Sequence, residues 1–202
     1  ILKDRLYTFA PKSRERRSAQ TALFRLLDAL TRLIAPILVF TADEIWEVMP
    51  GSANRELPSV HMAEFPKVEE RPGEAELLAR WHRLLDVRDH VLKALEEKRA
   101  EKLIGASLEA KVTITADGDL YDFLASFGEQ LRAIFIVSQV ELRKGAGDGL
   151  AITVTRADGQ KCERCWNYSP TVGMSARYPT VCARCVAVLE ELEAEWSDVR
   201  TP

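Results

Sequence analysis

Apolar residues in the first part of the chain recur at intervals of three and four. Ala19, Ala22, Leu23, Leu26, Leu27, Leu30, Leu33 and Ile34 form one stripe, which predicts an amphipathic helix over 13–34. Pro36 breaks or kinks it. Thr41-Ala42-Asp43-Glu44 has the form of a capping box, so a new helix is expected to start at Thr41 and to carry Ile45, Trp46 and Val48. Residues 49–73 lose the period. They hold Pro50, Pro58, Pro66 and Pro72 with Gly51 and Gly73, the composition of an extended connector and a domain boundary. The helical period returns over 74–102 with Leu77, Leu78, Trp81, Leu84, Leu85, Val91, Leu92 and Leu95. At 1.5 Å per residue that helix is roughly 40 Å long, with Trp81 expected in its core face.

Beyond Gly105 the period falls to two. Ala110, Val112, Ile114 and Ala116 alternate with polar neighbours, which predicts a strand over 109–116. Asp117-Gly118 turns the chain into a short helix over 120–131, and β-branched runs predict strands over 133–143 and 150–157. Gly145-x-Gly147-x-Gly149 lies between the last two. It lacks the Lys-Ser/Thr of a phosphate loop and opens no helix, so it is expected to close a hairpin. Asp158-Gly159 leads into the last segment, where Val186, Val188, Leu189, Leu192 and Trp196 mark a terminal amphipathic helix. The expected fold class is multidomain α+β. Residues 1–72 form part of a helical bundle, 73–158 a small α+β junction domain with a mainly antiparallel sheet, and 159–202 a four-cysteine zinc finger.

The zinc finger rests on cysteine spacing. Cys162 and Cys165 form one C-x-x-C pair, and Cys182 and Cys185 form a second after sixteen intervening residues. Two residues between cysteines let the backbone turn so that both sulfurs face one point, and two such pairs complete a tetrahedron of thiolates around one Zn²⁺. A redox pair of the thioredoxin type occurs once, after a buried strand, and two structural disulfides need an oxidising compartment. Here the pair is doubled and flanked by polar turns, and nothing else in the chain suggests such a compartment. With all four positions filled by sulfur, the metal is structural.

Composition and charge narrow the function. The chain has 202 residues, 47% hydrophobic and 29% charged, with a net charge of −3. Positive charge is concentrated locally. Residues 1–17 hold Lys3, Arg5, Lys12, Arg14, Arg16 and Arg17 against Asp4 and Glu15, and 161–185 hold Lys161, Arg164, Arg177 and Arg184 against Glu163. Such patches are what phosphate contact requires, although a solvated helix face has the same composition. No apolar run has transmembrane length and no signal peptide precedes the first helix. A start at Ile1 inside helical sequence is expected of a piece of a longer protein. Reduced cysteines suit the cytoplasm. Asp43 and Glu44 fit the first turn of a helix better than a catalytic pair, His61 has no partner cluster nearby in sequence, and no nucleophile–base constellation is present. A binding appendage is expected rather than a catalyst.

Several blocks, taken in order, resemble the C-terminal part of the bacterial isoleucyl-tRNA synthetase family. Lys3-Asp4-Arg5-Leu6-Tyr7, Ser13-Arg14-Glu15-Arg16-Arg17 and Gln20-Thr21 look like the end of its helical anticodon-binding domain. The run from Leu27 through Ala35-Pro36-Ile37 to Phe40-Thr41-Ala42-Asp43-Glu44-Ile45-Trp46 is shared in character with the leucyl, valyl and methionyl enzymes. Glu101-Lys102-x-Ile104-Gly105-x-Ser107-Leu108 resembles the start of the junction domain, and Lys161-Cys162-x-Arg164-Cys165-Trp166 with Cys182-x-Arg184-Cys185 its zinc module. The family's two nucleotide-fold signatures, His-Ile-Gly-His and Lys-Met-Ser-Lys-Ser, do not occur in this sequence.

The resemblance implies a parent enzyme that joins isoleucine to tRNA using ATP bound in a separate catalytic domain. The present piece would grip the anticodon stem-loop of tRNA(Ile), as a monomer and without a membrane. Splayed loop bases are read by aromatic stacking and by basic and polar side chains. The residues expected at the RNA are Arg164, Trp166, Tyr168 and Arg184 around the zinc, Lys161 and Arg177 on phosphates, and Arg14, Arg16 and Arg17 on the helical part. Trp166, which directly follows a ligand, either stands on the rim or packs beneath the knuckle as its core. The same cysteine spacing also resembles the zinc finger of formamidopyrimidine-type DNA glycosylases, but the run 27–46 has no place in that family.

Overall fold

The computed structural model describes residues 2–51, 56–70, 72–145 and 149–199, so part of the connector and Gly147 of the glycine turn lie outside the described residues. Contacts divide the chain into two units, Pro11–Glu74 and Ile1–Ala10 with Ala75–Pro202. The first ten residues therefore leave the helical segment expected to contain them and group with the chain beyond 75.

In the first unit, Ser13 caps helix α2 (Arg14–Ile34) by accepting from the Arg16 amide. Helix α3 spans Val39–Val48 and starts before the expected capping box. The reason is that the chain after Ile34 turns tightly, with the Ile37 and Leu38 amides both on the Ile34 carbonyl, and re-enters a helix at once. Asp43 is left for another task. Its carboxylate accepts from the Ser59 hydroxyl at 2.6 Å and the Val60 amide at 3.2 Å, pinning the connector. That pin seats Val60 in a small core with Ala35, Ala42, Trp46 and Met49. The Trp46 indole donates to the Leu57 carbonyl at 3.1 Å. By contrast α2 buries only Ala19 and Thr31, and Leu26, Leu27, Leu30 and Leu33 of the expected stripe face solvent.

In the second unit, helix α4 (Glu74–Ala100) buries Leu84, Val87, Val91 and Leu95, one stripe at helical spacing. Leu77, Leu78 and Leu85 of the expected stripe are exposed, and Trp81 is a rim residue 6.5 Å from the Phe127 ring rather than core. The buried stripe covers a three-stranded sheet whose central strand β1 (Ala110–Ala116) alternates buried and half-buried along its length, as the period of two predicts.

The sheet is not mainly antiparallel. Its order is β2-β1-β3, with β2 (Gln139–Lys144) parallel to β1 and β3 (Ala151–Arg156) antiparallel to it. Strands β2 and β3 lie on opposite edges, so the glycine-rich segment joins two edges and closes no hairpin. A parallel pair needs a crossover, and residues 117–138 supply it as helices α5 (Gly118–Ala125) and α6 (Gln130–Phe135). The β-branched run expected to start a strand at 133 is thus helical first. Leu131, Ile134 and Phe135 bury one face of a helical turn, and Phe135 is among the largest fully buried side chains.

Helix α6 stops at Ile136, which adopts the left-handed conformation at φ 59°. Glycine takes this position without penalty, whereas a β-branched residue is strained there. Ile136→Gly is expected to stabilise the fold by about 1 kcal/mol, read as a higher urea midpoint at unchanged slope. The Ser59 hydroxyl chiefly, with the Val60 amide and His61, holds the Asp43 carboxyl below its ordinary value against a smaller opposing effect of desolvation. Because the folded value is depressed, the connector pin is stabilising above the unfolded carboxyl pKa of about 3.9 and is lost as pH falls through the lower folded value. The Val60 amide shift in an NMR titration should move only below that range, and Asp43→Asn should abolish the step.

Candidate metal centre and nucleic-acid interface

Gly159 admits the chain to the last segment. At φ 86° a Cβ here would stand 2.3 Å from backbone atoms of Ser169 and Pro170, so only glycine lets strand β4 (Gln160–Lys161) pair with β5 (Tyr168–Ser169). This two-stranded ribbon carries the first knuckle between its strands. The Trp166 amide donates to the Cys162 carbonyl at 2.8 Å and the Cys162 amide to the Asn167 carbonyl at 2.9 Å. Trp166 itself takes φ 64°. The second knuckle is the start of helix α7 (Ala183–Val199), where the Cys185 and Val186 amides both reach the Cys182 carbonyl. A helix N-terminus beside sulfur favours the thiolate.

The knuckles bring all four sulfurs within 4.8 Å of one another, and all four cysteines are buried. Sulfurs bonded to Zn²⁺ at about 2.3 Å in a tetrahedron stand about 3.8 Å apart. Cys165 Sγ and Cys182 Sγ are 3.7 Å apart, and the Cys182 amide donates to Cys162 Sγ at 3.3 Å. The donor set and spacing fit a zinc ion closed off from water. Crowding of the sulfurs makes ionisation of one oppose ionisation of its neighbours. Hydrogen bonds from Cys182 and Cys185 pull Cys165 down, and the same bonds push Cys182 and Cys185 up. A divalent cation replaces those shared protons and lets all four sulfurs carry charge.

The residues expected at RNA separate into two groups. Trp166 is 61% exposed, on the rim, and the Lys161 ammonium lies 5.4 Å from its ring centroid. Arg177 is also exposed, paired with Glu193 at 2.6 Å and set against the Tyr178 ring. Tyr168 is half-buried in β5, its amide donating to the Ser138 hydroxyl at 2.7 Å. Arg14 and Arg17 are exposed and Arg16 half-buried in the first turns of α2, which belongs to the other unit.

Arg164 and Arg184 do not stand out toward solvent as expected. Arg164 donates to the Thr8 carbonyl at 2.6 Å, and Arg184 forms a fork on Asp4 at 2.9 and 3.0 Å. The acceptors, on helix α1 (Leu2–Thr8), lie 156 and 180 residues away in sequence. Nothing in the pattern marks Asp4 and Thr8 as their partners. The one available sign is that both knuckles carry arginine at the same place, Cys-x-Arg-Cys.

A second clamp went unforeseen. The Gln139 side chain donates to the Asp158 carbonyl and accepts from the Asp158 amide, and Lys111 pairs with Asp158 at 3.0 Å. Together with Ser138 this ties the metal segment to the sheet. Cys162→Ser removes one charged ligand and should release zinc to a colorimetric chelator and abolish amide protection over 160–186. Retained metal and protection would falsify the four-sulfur site.

Comparison with known proteins agrees with this geometry. A model described as the anticodon-binding domain of tRNA ligase matches residues 1–114, and one described as a zinc finger found in FPG and IleRS matches 159–188. The second is shared with the DNA glycosylases, and the first argues against that alternative. An isoleucine–tRNA ligase of Caldanaerobacter subterraneus subsp. tengcongensis is 46% identical over 202 residues, covering 95% of this chain and 22% of the relative. Those of Carboxydothermus hydrogenoformans and Geobacter sulfurreducens are 48% and 44% identical, each matched over 21% of its length. The chain thus spans about a fifth of the relatives it matches, and its four cysteines form one structural zinc site. With more than half of its length matched by the anticodon-binding model, and a zinc finger of the kind found in IleRS following it, the chain belongs to the tRNA ligase family.

Proposed function

We propose that this chain grips the anticodon stem-loop of tRNA(Ile) for an isoleucine–tRNA ligase whose ATP-binding catalytic domain lies elsewhere in the longer protein. The observation that carries this reading is Trp166. A large aromatic ring on the rim of a metal-stiffened turn, with Lys161 over it and its backbone held by the knuckle, is a stacking platform beside a phosphate-seeking charge. Unstacked loop bases supply what such a platform binds. Arg177 adds a second exposed charge on the same module, and Arg14, Arg16 and Arg17 contact phosphates from the helical part. In this reading residues 1–72, 73–158 and 159–202 act as anticodon-binding, junction and zinc-binding parts. The exposed leucines of α2 are where further helices of the longer protein pack. The protein works in the cytoplasm as a monomer, and among the described residues no helix is long and apolar enough to cross a membrane.

Binding of the zinc-loaded chain to cognate tRNA, non-cognate tRNA and duplex DNA at one salt concentration tests the reading. Cognate tRNA should bind tightest, and equal affinity for duplex DNA would overturn it. Trp166→Ala should weaken tRNA binding by about 1–3 kcal/mol with zinc content and fold unchanged. Affinity should fall with salt by a logarithmic slope of about 0.7–0.9 per phosphate contacted, and a flat dependence would remove Lys161 and Arg177 from the contact.

A further inference from the structure

We infer that Arg164 and Arg184 are positioning residues that couple the zinc centre to helix α1, so that metal loading holds residues 4–9 in place and those residues in turn hold the metal. The inference goes beyond the RNA-binding reading and does not depend on it.

Both knuckles reach the same helix. Arg164 sits between the cysteines of the first knuckle, yet its guanidinium lies 3.7 Å from Cys185 Sγ of the second. Arg184 sits between the cysteines of the second knuckle, and its guanidinium turns to α1. Arg164 therefore crosses from its own pair to a sulfur of the other, and both arginines reach α1. Arg164 reaches the Thr8 carbonyl, and Arg184 reaches both oxygens of Asp4 while lying 5.1 Å from the centroid of the Phe9 ring. The Thr8 hydroxyl donates to the same Asp4 carboxylate at 2.8 Å, which orients it toward the fork. Thr8 and Ala10 are buried, so this end of α1 is packed rather than loose.

Charge explains why the coupling should follow the metal. Zn²⁺ with four thiolates would carry a net charge of −2, which the two knuckle guanidiniums, Arg164 at 3.7 Å from Cys185 Sγ, would balance. Without the cation nothing holds the four sulfurs together, and the knuckles lose the turns that aim the arginines. The guanidiniums facing α1 then have no fixed position. Linkage makes the effect mutual: a contact that strengthens when zinc binds must strengthen zinc binding by the same factor. Arginine is required because a planar fork meets two carboxylate oxygens at once, which a lysine ammonium cannot reproduce.

Two measurements on the full chain test this. Backbone amide exchange is followed with zinc bound and after chelation, with no substitution involved. Protection over residues 4–9 should be lost with the metal, while β1, buried in the sheet core, keeps its protection. Unchanged protection at 4–9 would overturn the coupling. Zinc transfer to a colorimetric chelator is then compared for the parent chain, Asp4→Asn and Arg184→Lys. Both variants leave the four sulfurs intact and should weaken zinc affinity by about 10- to 100-fold, read as faster transfer to the chelator. Transfer at the parent rate in Asp4→Asn would overturn the inference. Arg184→Lys also separates this role from RNA contact. A positioning residue loses its hold on α1 and leaves the salt slope of tRNA binding alone. A phosphate contact keeps α1 in place and changes only the RNA affinity, and that result would return Arg184 to the RNA interface.

Discussion

Four sulfurs around one cation govern the last quarter of the chain. The buried cluster there consists of the four cysteines and Val181, with Val172, Tyr178, Val186 and Leu189 packed partly against it. One buried valine contributes about 1.5–3 kcal/mol. Zinc binding to segments of this kind is worth about 10–16 kcal/mol, so the metal and not the apolar contacts decides whether the segment is folded. Every feature of functional interest there follows from the two knuckles. They set the left-handed turn at Trp166, and they start α7 where its N-terminus faces the sulfurs.

A module this small needs fixed attachments if it is to present a ring at a defined place. Two are seen among the described residues of its own unit. One is the sheet edge, through Ser138, Gln139 and the Lys111–Asp158 pair. The other is α1, through Arg164 and Arg184. These attachments are not equivalent energetically. Asp158 is 64% exposed, and an ion pair with one partner so open to water contributes little. The Arg184–Asp4 fork is about a quarter exposed on each side, bidentate, and backed by the Thr8 hydroxyl. There the fork and the hydroxyl outweigh a burial effect that would raise the Asp4 carboxyl, holding it below its ordinary value. Trp166 is thus exposed without being loosely held.

The helical unit has a different economy. Its core around Trp46 is made by α3 and the connector, while the leucine stripe of α2 remains on the surface. A stripe of that length is a packing surface by composition, and the chain covers about a fifth of the ligases it resembles. In the second unit α4 and the crossover helices share one buried cluster with β1.

Local pattern determined a good deal. Helical period placed α2 and α4, alternation placed β1 and its inward residues, and cysteine spacing alone named the ligands, because each of these is set by neighbours a few residues apart. The order of motifs along the chain also carried the family. What pattern could not determine was partnership across distance. Whether β2 runs parallel or antiparallel to β1 depends on the path of residues 117–138, and the β-branched stretch 134–137 reads as strand until Phe135 is seen filling the core from a helical turn. Asp43 looks like a capping residue until Ser59 and Val60 arrive from the connector. The arginines of the knuckles look like RNA contacts, since exposed charge beside zinc is the local expectation. Only the folded chain brings Asp4 and Thr8 to them, because a fork closed over 180 residues leaves no trace in the spacing of either end.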